Sequence, residues 1–257
     1  MLLDVIIPVK DRSTVLRCVT YLREQIAIAQ GITLGRILVC DGGSKETSCQ
    51  QQLANITQWA EVEVLGCAHT GFNKGWLINQ GLMAASAPWV LISDVDILWP
   101  SATLEELATA ARPEYIHYVQ DVRESQPGNT AIKRSRYSYR LNSSEREPSV
   151  EIFADFSESD FRPGCGLVFG AIALFRKIGG YRHCFRGWGW EDQDLLIRAQ
   201  LLGYRVDQVG TVTHLSHGDS DRNSFHKNCL PQMSRDRNIE ICLEEISKGR
   251  LIGDLQE

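Results

Sequence analysis

The sequence predicts an α/β fold in which a mostly parallel central sheet is flanked by helices. Short apolar runs that are typical of strands alternate with helix-like segments over the first 120 residues. Such alternation indicates βαβ units, in which each helix returns the chain to begin a parallel strand. The chain has 257 residues and a hydrophobic content of 43%, so it can bury the core of one large domain.

Five apolar runs in the first 120 residues justify the predicted strands. The first run is closed by Pro8, and the third alternates as a half-buried strand does. The fourth, WVLI, is apolar throughout and predicts a buried strand. In chain order, the strands are expected at residues 2–9, 36–40, 61–65, 89–92 and 115–119.

Helical spacing and end signals justify the helices between these strands. Ser13 or Thr14 can cap the first helix, which is expected to end near Gly31. A capping box at residues 103–106 is expected to open the fourth helix. The three helices before it are predicted near residues 15–31, 47–58 and 77–85.

The pattern weakens between residues 121 and 161, a polar segment that we interpret as an insertion over the edge of the sheet. Three arginines interleave there with two tyrosines: Arg134, Arg136, Arg140, Tyr137 and Tyr139. A solvated loop fits this composition, and so does a clamp for an acceptor or an anionic surface. Order is expected to return near residues 164–176, before helices at 192–202 and 234–247.

The composition argues against several classes of function. A net charge of -5 makes general affinity for nucleic acid unexpected. No apolar run reaches the roughly 20 residues that cross a bilayer, and the N-terminus is expected to be a strand, not a signal peptide. The eight cysteines are scattered without metal-ligand spacing. They favour a reducing, cytoplasmic location, and a peripheral contact with the inner membrane face stays open.

Two carboxylates, Asp94 and Asp96, follow the fourth predicted strand. Alternate residues of an extended chain point to the same side, so both carboxylates can face one point. In open α/β sheets, ligands bind at the carboxyl ends of the strands. A carboxylate pair there suits a divalent metal ion on a diphosphate, although an isolated Asp-x-Asp is more often a solvated turn.

A second cluster combines glycines, tryptophans and acids over residues 187–194. Glycine lets the backbone approach a ligand, and an indole ring suits the C–H face of a sugar. Glu191 and Asp192 fall at the predicted start of a helix, where the helix dipole favours negative charge. The alternative is an acidic helix terminus beside two core tryptophans.

A third cluster contains two histidines, His214 and His217. Their imidazoles are three residues apart and can reach one cation, and imidazole is a common ligand of Mn or Zn. Together with Asp94 and Asp96, they favour a mixed Asp/His site for a cation that holds a diphosphate.

These segments together resemble the metal-dependent glycosyltransferases of the GT-A fold. VIIPVKDR at residues 5–12 and DGGS at 41–44 are similar to the large family 2. Later segments are similar to the β-1,4-galactosyltransferases of family 7, namely residues 72–96, 168–175 and 187–194, with His217 behind them. The most specific part is the order of Asp-x-Asp, Trp-Gly-x-Glu-Asp and a downstream His.

The resemblance covers about residues 1–120 and 162–225 and implies one GT-A (Rossmann-like) domain over residues 1–257. Residues 1–120 would form the nucleotide-sugar-binding half and residues 162–257 the acceptor and catalytic half. The polar insert at residues 121–161 would lie between them.

The same resemblance implies a donor site of eight residues. Asp41 matches the family-2 aspartate that holds uridine, and Phe72 matches a residue that packs on the base. Trp188 matches a mobile tryptophan that closes over the donor. The other matched positions lie near the nucleotide or its ribose: Pro8, Lys10, Arg12, Lys74 and Asp94.

The resemblance also implies a metal site and a catalytic base. Asp96 matches the metal ligand and His217 the histidine ligand of the family. His214 falls where the galactosyltransferases carry a Met, so the site should hold Mn²⁺ or Mg²⁺ well. Asp192 matches the catalytic base, and Glu191 would bind the acceptor or orient that base.

Three departures from the family pattern affect specificity. Trp190 replaces a family Gly, and Gln193 replaces an acid, so the acceptor pocket should differ. Val168 lies where a bulky Tyr helps select galactose over its N-acetyl form. The smaller side chain leaves room for an N-acetylhexosamine donor.

The implied reaction is an inverting transfer of a hexose or N-acetylhexosamine from a UDP-sugar to a hydroxyl group. The acceptor would be a glycan, a lipid-linked sugar or a peptide. A retaining GT-A glycosyltransferase and a non-catalytic sugar-nucleotide-binding protein remain alternatives. A nucleotidyltransferase should show a glycine-rich phosphate loop after the first strand, and this chain has none there. A zinc hydrolase on the two histidines has no obvious third ligand nearby in the sequence.

Overall fold

The computed structural model describes residues 1–67, 71–126, 134–142, 149–157, 161–217 and 230–255. Its strands are β1 (Leu2–Val9), β2 (Thr33–Asp41), β3 (Val62–Gly66), β4 (Trp89–Ile92), β5 (Ile97–Leu98), β6 (Tyr115–Glu124), β7 (Arg134–Asn142), β8 (Ser149–Ser157), β9 (Phe161–Ala171) and β10 (Arg205–His214). Its helices are α1 (Val15–Ile28), α2 (Thr47–Ile56), α3 (Lys74–Ala84), α4 (Ser101–Ala110), α5 (Ile172–Lys177), α6 (Glu191–Leu201) and α7 (Pro231–Ser247).

A sheet of eight strands forms the centre of the fold, in the order β3-β2-β1-β4-β9-β6-β10-β5. Strands β3, β2, β1 and β4 are parallel to one another, and β6 is parallel to β10. Strand β9 lies antiparallel between β4 and β6, and β5 lies antiparallel to β10. The predicted α/β class with a mostly parallel sheet is confirmed.

Helices cover both faces of this sheet. Successive side chains of β1 point to opposite faces and are buried on both. Val5 and Ile7 belong to a buried cluster with α1, α2 and α4, whereas Ile6 belongs to a second cluster with α3, α5 and α6. All three side chains are at most 1% exposed. Successive residues of a strand point to opposite faces, so one continuous apolar run anchors both helical layers.

The predicted insertion between residues 121 and 161 contains strands that the sequence pattern did not predict. Its first residues extend β6 to Glu124, and β7 and β8 pair as an antiparallel two-stranded sheet. Apolar side chains of this pair pack against a cluster that includes α7, namely Tyr139, Leu141, Val150 and Ile152. The side chains of Arg134, Arg136 and Tyr137 lie outside the described residues, so the idea of an arginine–tyrosine clamp stays a prediction.

The predicted capping box at residues 103–106 is wrong. Helix α4 begins earlier, at Ser101, directly after Pro100. The hydroxyl of Thr103 instead donates to the carbonyl of Thr211 at 2.6 Å and accepts from the Thr211 amide at 3.1 Å. The Thr103 hydroxyl therefore bonds to the backbone of β10, which is distant in sequence, and does not cap its own helix.

Within the described residues, no helix combines the length and apolar character needed to cross a membrane. The seven described cysteines are free thiols, and Cys229 lies outside the described residues. The expected cytoplasmic location stays a prediction.

Candidate active site

The loop after β4 places Asp94 and Asp96 at the carboxyl edge of the sheet. The Ser93 amide continues the β1–β4 pairing by donating to the carbonyl of Ile6 at 3.0 Å. Trp99, which is fully buried, donates its indole N–H to the Ser93 hydroxyl at 2.8 Å. These bonds hold the loop at Ser93 and Trp99, so the backbone that carries Asp94 and Asp96 is fixed.

Strand β5 then brings the two histidines to this loop. It pairs with β10 so that Ile97 lies opposite His214, and the Leu215 amide donates to the carbonyl of Asp96 at 2.8 Å. Asp96 Oδ2 lies 3.5 Å from His214 Nε2 and 3.2 Å from His217 Nε2. One ligand atom from each residue lies within 4.8 Å of the others.

The electrostatics of this triad suit a cation. Burial disfavours the charged form of Asp96, but hydrogen bonds with His214 and His217 outweigh burial and hold its pKa below the usual range. The side chain therefore stays ionised at neutral pH. One carboxylate oxygen and two imidazole nitrogens form a donor set that first-row divalent cations accept.

Lys74, at the start of α3, connects this edge to the acidic end of α6. Its Nζ lies 2.9 Å from Asp94 Oδ1, 3.1 Å from Asp192 Oδ2 and 4.0 Å from Glu191 Oε1. Burial lowers the pKa of Lys74, but the three carboxylates together raise it well above its usual value. Lys74 is therefore a fixed positive charge between the two acidic clusters.

Asp192 and Glu191 are the carboxyl groups of the site whose pKa is raised. Burial raises the pKa of Asp192, which Lys74 opposes. Burial, followed by the charge of Asp192, raises the pKa of Glu191 to about 7. Asp192 Oδ1 is buried and has no hydrogen-bond partner among the described residues. A carboxylate with a raised pKa and a spare oxygen can accept a proton more readily than an ordinary aspartate.

A buried ion network fixes the start of α6. Asp194 accepts from Arg182 and from Arg198, each at 2.7 Å, and all three side chains are at most 3% exposed. Arg198 also donates to the carbonyls of Ile178 and Gly180 at 2.9 and 2.7 Å. The network fixes the first turn of α6 and therefore the position of Asp192. Asp192 itself is not a member of the network.

The predicted donor residues lie on loops at the same carboxyl edge. Lys10 donates to the carbonyls of Gly42 and Gly71 at 2.9 and 2.8 Å. Asp41 Oδ1 accepts from the Ser44 amide at 3.0 Å and from its hydroxyl at 2.6 Å. Pro8 lies next to the last residue of β1, Arg12 follows β1, and Phe72 precedes α3. The structure brings these positions to one edge of the sheet, and their contact with a nucleotide stays a prediction.

The glycine–tryptophan segment lies against α7. Ser234 accepts from the Trp188 amide at 3.0 Å, and its hydroxyl lies 3.0 Å from the Trp188 carbonyl. Trp190 adopts a left-handed backbone with φ of 80°, which explains why glycine suits this position. Its indole is 2% exposed and packs with Phe185 and Cys242, which offsets the backbone strain.

Three residues of this site were missed by sequence reasoning. Glu124 binds His214 across the β6–β10 pair at 2.7 Å. Gly166 lies so close to Asp192 that a Cβ there would be 2.5 Å from Asp192 Oδ2. Tyr181 is fully buried, and its hydroxyl has no hydrogen-bond partner among the described residues. No local motif marks these positions, and the neighbours of Glu124 and Gly166 in the site are distant in sequence.

The raised pKa of Glu191 predicts a pH-dependent gain in stability for Glu191→Gln. The pKa is about 7 in the folded chain against an ordinary value of 4.5. Between these values the folded protein binds the proton more tightly, so Glu191 reduces the stability as the pH rises. Thermal melts of the parent and of Glu191→Gln should therefore diverge in favour of the variant from about pH 4.5 to pH 7. A difference in Tm that does not grow with pH would contradict this assignment.

The sheet topology and its acidic, histidine-bearing edge define a glycosyltransferase of the GT-A fold. The sequence model of glycosyl transferase family 2 matches residues 4–174, well over half of the chain, and the chain belongs to this family. A second model, described as the N-terminal domain of galactosyltransferase, matches residues 158–218. The predicted class, a family-2 glycosyltransferase of the β-1,4-galactosyltransferase type, is confirmed.

Curated relatives match the galactosyltransferase-like part. β-1,4-Galactosyltransferase 5 of Danio rerio is 28% identical over 137 residues, which cover 53% of this chain and 29% of the relative. β-1,4-Galactosyltransferase 6 of Homo sapiens is 32% identical over 139 residues, which cover 52% of this chain and 28% of the relative. The match thus spans less than a third of the length of these relatives.

Solved structures share the fold at low sequence identity. A Drosophila β-1,4-galactosyltransferase 7 mutant, in complex with manganese, UDP-Gal and xylobiose, has a TM-score of 0.55 at 16% identity. That match covers 91% of this chain and 79% of the neighbour. TarS of S. aureus has a TM-score of 0.58 at 15% identity and covers 100% of this chain and 41% of the neighbour.

Proposed function

We propose that the protein is an inverting, metal-dependent glycosyltransferase that moves a hexose or N-acetylhexosamine from a UDP-sugar to an acceptor hydroxyl. The acceptor is a glycan, a lipid-linked sugar or a peptide. One observation carries the proposal: Lys74 joins Asp94, beside the Asp96–His214–His217 triad, to the candidate base Asp192. A cation site and a base therefore share one edge of the sheet.

The triad fits a divalent cation, Mn²⁺ or Mg²⁺. Asp96 is ionised and 8% exposed, and both histidines present Nε2 to it. Asp96, His214 and His217 would hold the ion, which when bound would neutralise the charge that develops on a leaving diphosphate. The Drosophila neighbour, which was solved with manganese and UDP-Gal, supports this choice of metal and donor.

The donor would bind at the carboxyl edge of β1, β2 and β4, where ligands of open α/β sheets bind. In the proposed site, Trp188 covers the sugar and Asp41 holds the base. The remaining contacts are assigned to Pro8, Lys10, Arg12, Phe72, Lys74 and Asp94. In this proposal residues 1–120 bind the donor, and residues 162–257 bind the acceptor and provide the catalytic base.

Asp192 is the proposed general base. The acceptor hydroxyl has a pKa far above 7, so it must lose its proton as it attacks. Asp192 accepts that proton, and Glu191, which is partly protonated near neutral pH, orients the acceptor. A single base opposite the leaving group gives one displacement and therefore inversion at the anomeric carbon. The N-acetylhexosamine option rests on the family resemblance alone, since Val168, which lies opposite Ile92 on β9, is fully buried in the core.

The first test measures nucleotide diphosphate release from a panel of UDP- and GDP-sugars, in the presence of mixed glycan acceptors. We expect release from one UDP-sugar with Mn²⁺ or Mg²⁺, and its loss with a chelator. Added metal should restore it. Release that a chelator does not change would remove the cation from the proposal. Tight UDP binding without release would favour a sugar-nucleotide-binding protein.

A further inference from the structure

Glu124 ends β6, and its carboxylate lies against the ring of His214. Glu124 Oε2 is 2.7 Å from His214 Nδ1, and the two side chains are only 6% and 5% exposed. The pairing of β6 with β10 sets this contact, because His214 and Glu124 lie opposite each other in the parallel register. The register of the two strands therefore places the Glu124 carboxylate beside the His214 ring.

The ring of His214 is thus placed between two carboxylates. Its Nδ1 faces Glu124 and its Nε2 faces Asp96 Oδ2 at 3.5 Å. A neutral imidazole donates from one nitrogen and accepts at the other. A carboxylate accepts only, so a 2.7 Å contact with Nδ1 requires the N–H on that atom. In the neutral ring the lone pair is then on Nε2, where a cation between His214 and Asp96 would take the place of their direct contact.

Glu124 is itself held in place. The Ser216 hydroxyl donates to Oε2 at 3.0 Å, and Arg162 Nε lies 3.6 Å from Oε1. The Ser125 amide also donates to the carbonyl of His214 at 2.8 Å, which ties the two strand ends together. This support indicates a carboxylate whose position is fixed before any ligand arrives.

Glu124 does not act as a direct ligand in this arrangement. The group of residues whose ligand atoms converge contains Asp96, His214 and His217. The Glu124 oxygen instead contacts the far nitrogen of His214. Carboxylates in this position orient a metal-binding imidazole, fix its tautomer and raise its basicity.

We propose that Glu124 is a positioning residue of the cation site, which holds His214 with Nε2 free and aimed at a divalent cation shared with Asp96 and His217. This inference rests on the proposed metal site and adds a residue to it. Neither the Asp-x-Asp nor the histidine pair includes Glu124.

The test titrates the metal-free full chain with Mn²⁺ alone, by calorimetry or by EPR of free Mn²⁺. Loss of such a carboxylate typically weakens metal binding about 10–100-fold, so Glu124→Ala should fall in that range. Glu124→Gln keeps an acceptor oxygen and should lose less. Asp121→Asn, on the same strand, is the matched control and should bind as the parent does.

A second readout separates positioning from folding. In ¹⁵N-histidine NMR at a pH above the pKa of His214, the parent ring should carry its proton on Nδ1, and Glu124→Ala should lose this preference. The signal is assigned by its absence in His214→Gln. A parent ring protonated on Nε2 would overturn the proposal.

The outcomes distinguish a failure of the role of Glu124 from a failure of the metal site. The first outcome is that the parent binds Mn²⁺, that Asp96→Asn abolishes this binding, and that folded Glu124 variants bind as the parent does. In that case Glu124 has no positioning role, and the metal site stands. If the parent does not bind Mn²⁺, the metal site fails and the role of Glu124 fails with it.

Discussion

Replacement of Asp192 by Asn is expected to abolish sugar transfer and to leave donor binding nearly unchanged. Asparagine keeps the shape of the side chain and an oxygen for Lys74, but it cannot accept the acceptor's proton. General-base catalysis typically contributes 10²–10⁴-fold, so kcat should fall by about 10³-fold. Lys74, a proposed donor contact, keeps its contact with Asp94 and an oxygen at position 192, and the metal triad does not include this carboxylate. The Kd of the donor should therefore change little.

The measurement combines kcat on the acceptor identified by the panel with calorimetry of donor binding in the presence of Mn²⁺. Asp207→Asn, at an exposed aspartate on β10, is the matched control and should behave as the parent. Burial raises the pKa of Asp192, so its neutralisation should not lower Tm. Loss of donor binding in Asp192→Asn would remove this residue from the role of base.

The sequence predicted those parts of the site that local patterns specify. Asp94 and Asp96 come directly after an apolar strand in the sequence, and Asp192 comes after a glycine–tryptophan segment at the start of a helix. In each case the neighbouring residues determine the backbone, so the chemistry could be placed before the fold was known. Their roles as ligand, donor contact and base stay predictions until they are measured.

The parts that sequence reasoning missed depend on distant partners. Glu124 and His214 are 90 residues apart, and only the register of β6 with β10 makes them neighbours. The pair β7–β8 buries Leu141 and Val150 against the cluster of α7, so its strand character depends on a helix near the end of the chain. Short amphipathic strands of this kind look like polar loops when their covering helix is unknown.

Gly166, in β9, shows the same dependence with a functional consequence. A Cβ at this position would lie 2.5 Å from Asp192 Oδ2 and 2.8 Å from Lys74 Nζ, where ordinary contacts begin at 3.4 Å. Glycine within a strand often marks such a close approach. The obstructing atoms are the ends of two side chains, so the chain can fold around an added methyl group by displacing them. Those two ends are the proposed base and its cationic partner.

Gly166→Ala should therefore lose activity with little loss of stability. A displacement of about 1 Å in a reacting group can cost on the order of 100-fold, and we expect a fall in kcat of that size with Tm nearly unchanged. Gly164→Ala, on the same strand, is the opposite case, because its Cβ would meet the buried Val119 and Val122 at 2.8 and 2.9 Å. Overpacking of that kind costs about 1–3 kcal/mol, so this variant should lose Tm while its folded fraction keeps kcat. If Gly166→Ala retained full kcat, the Lys74–Asp192 contact would not be part of the active arrangement.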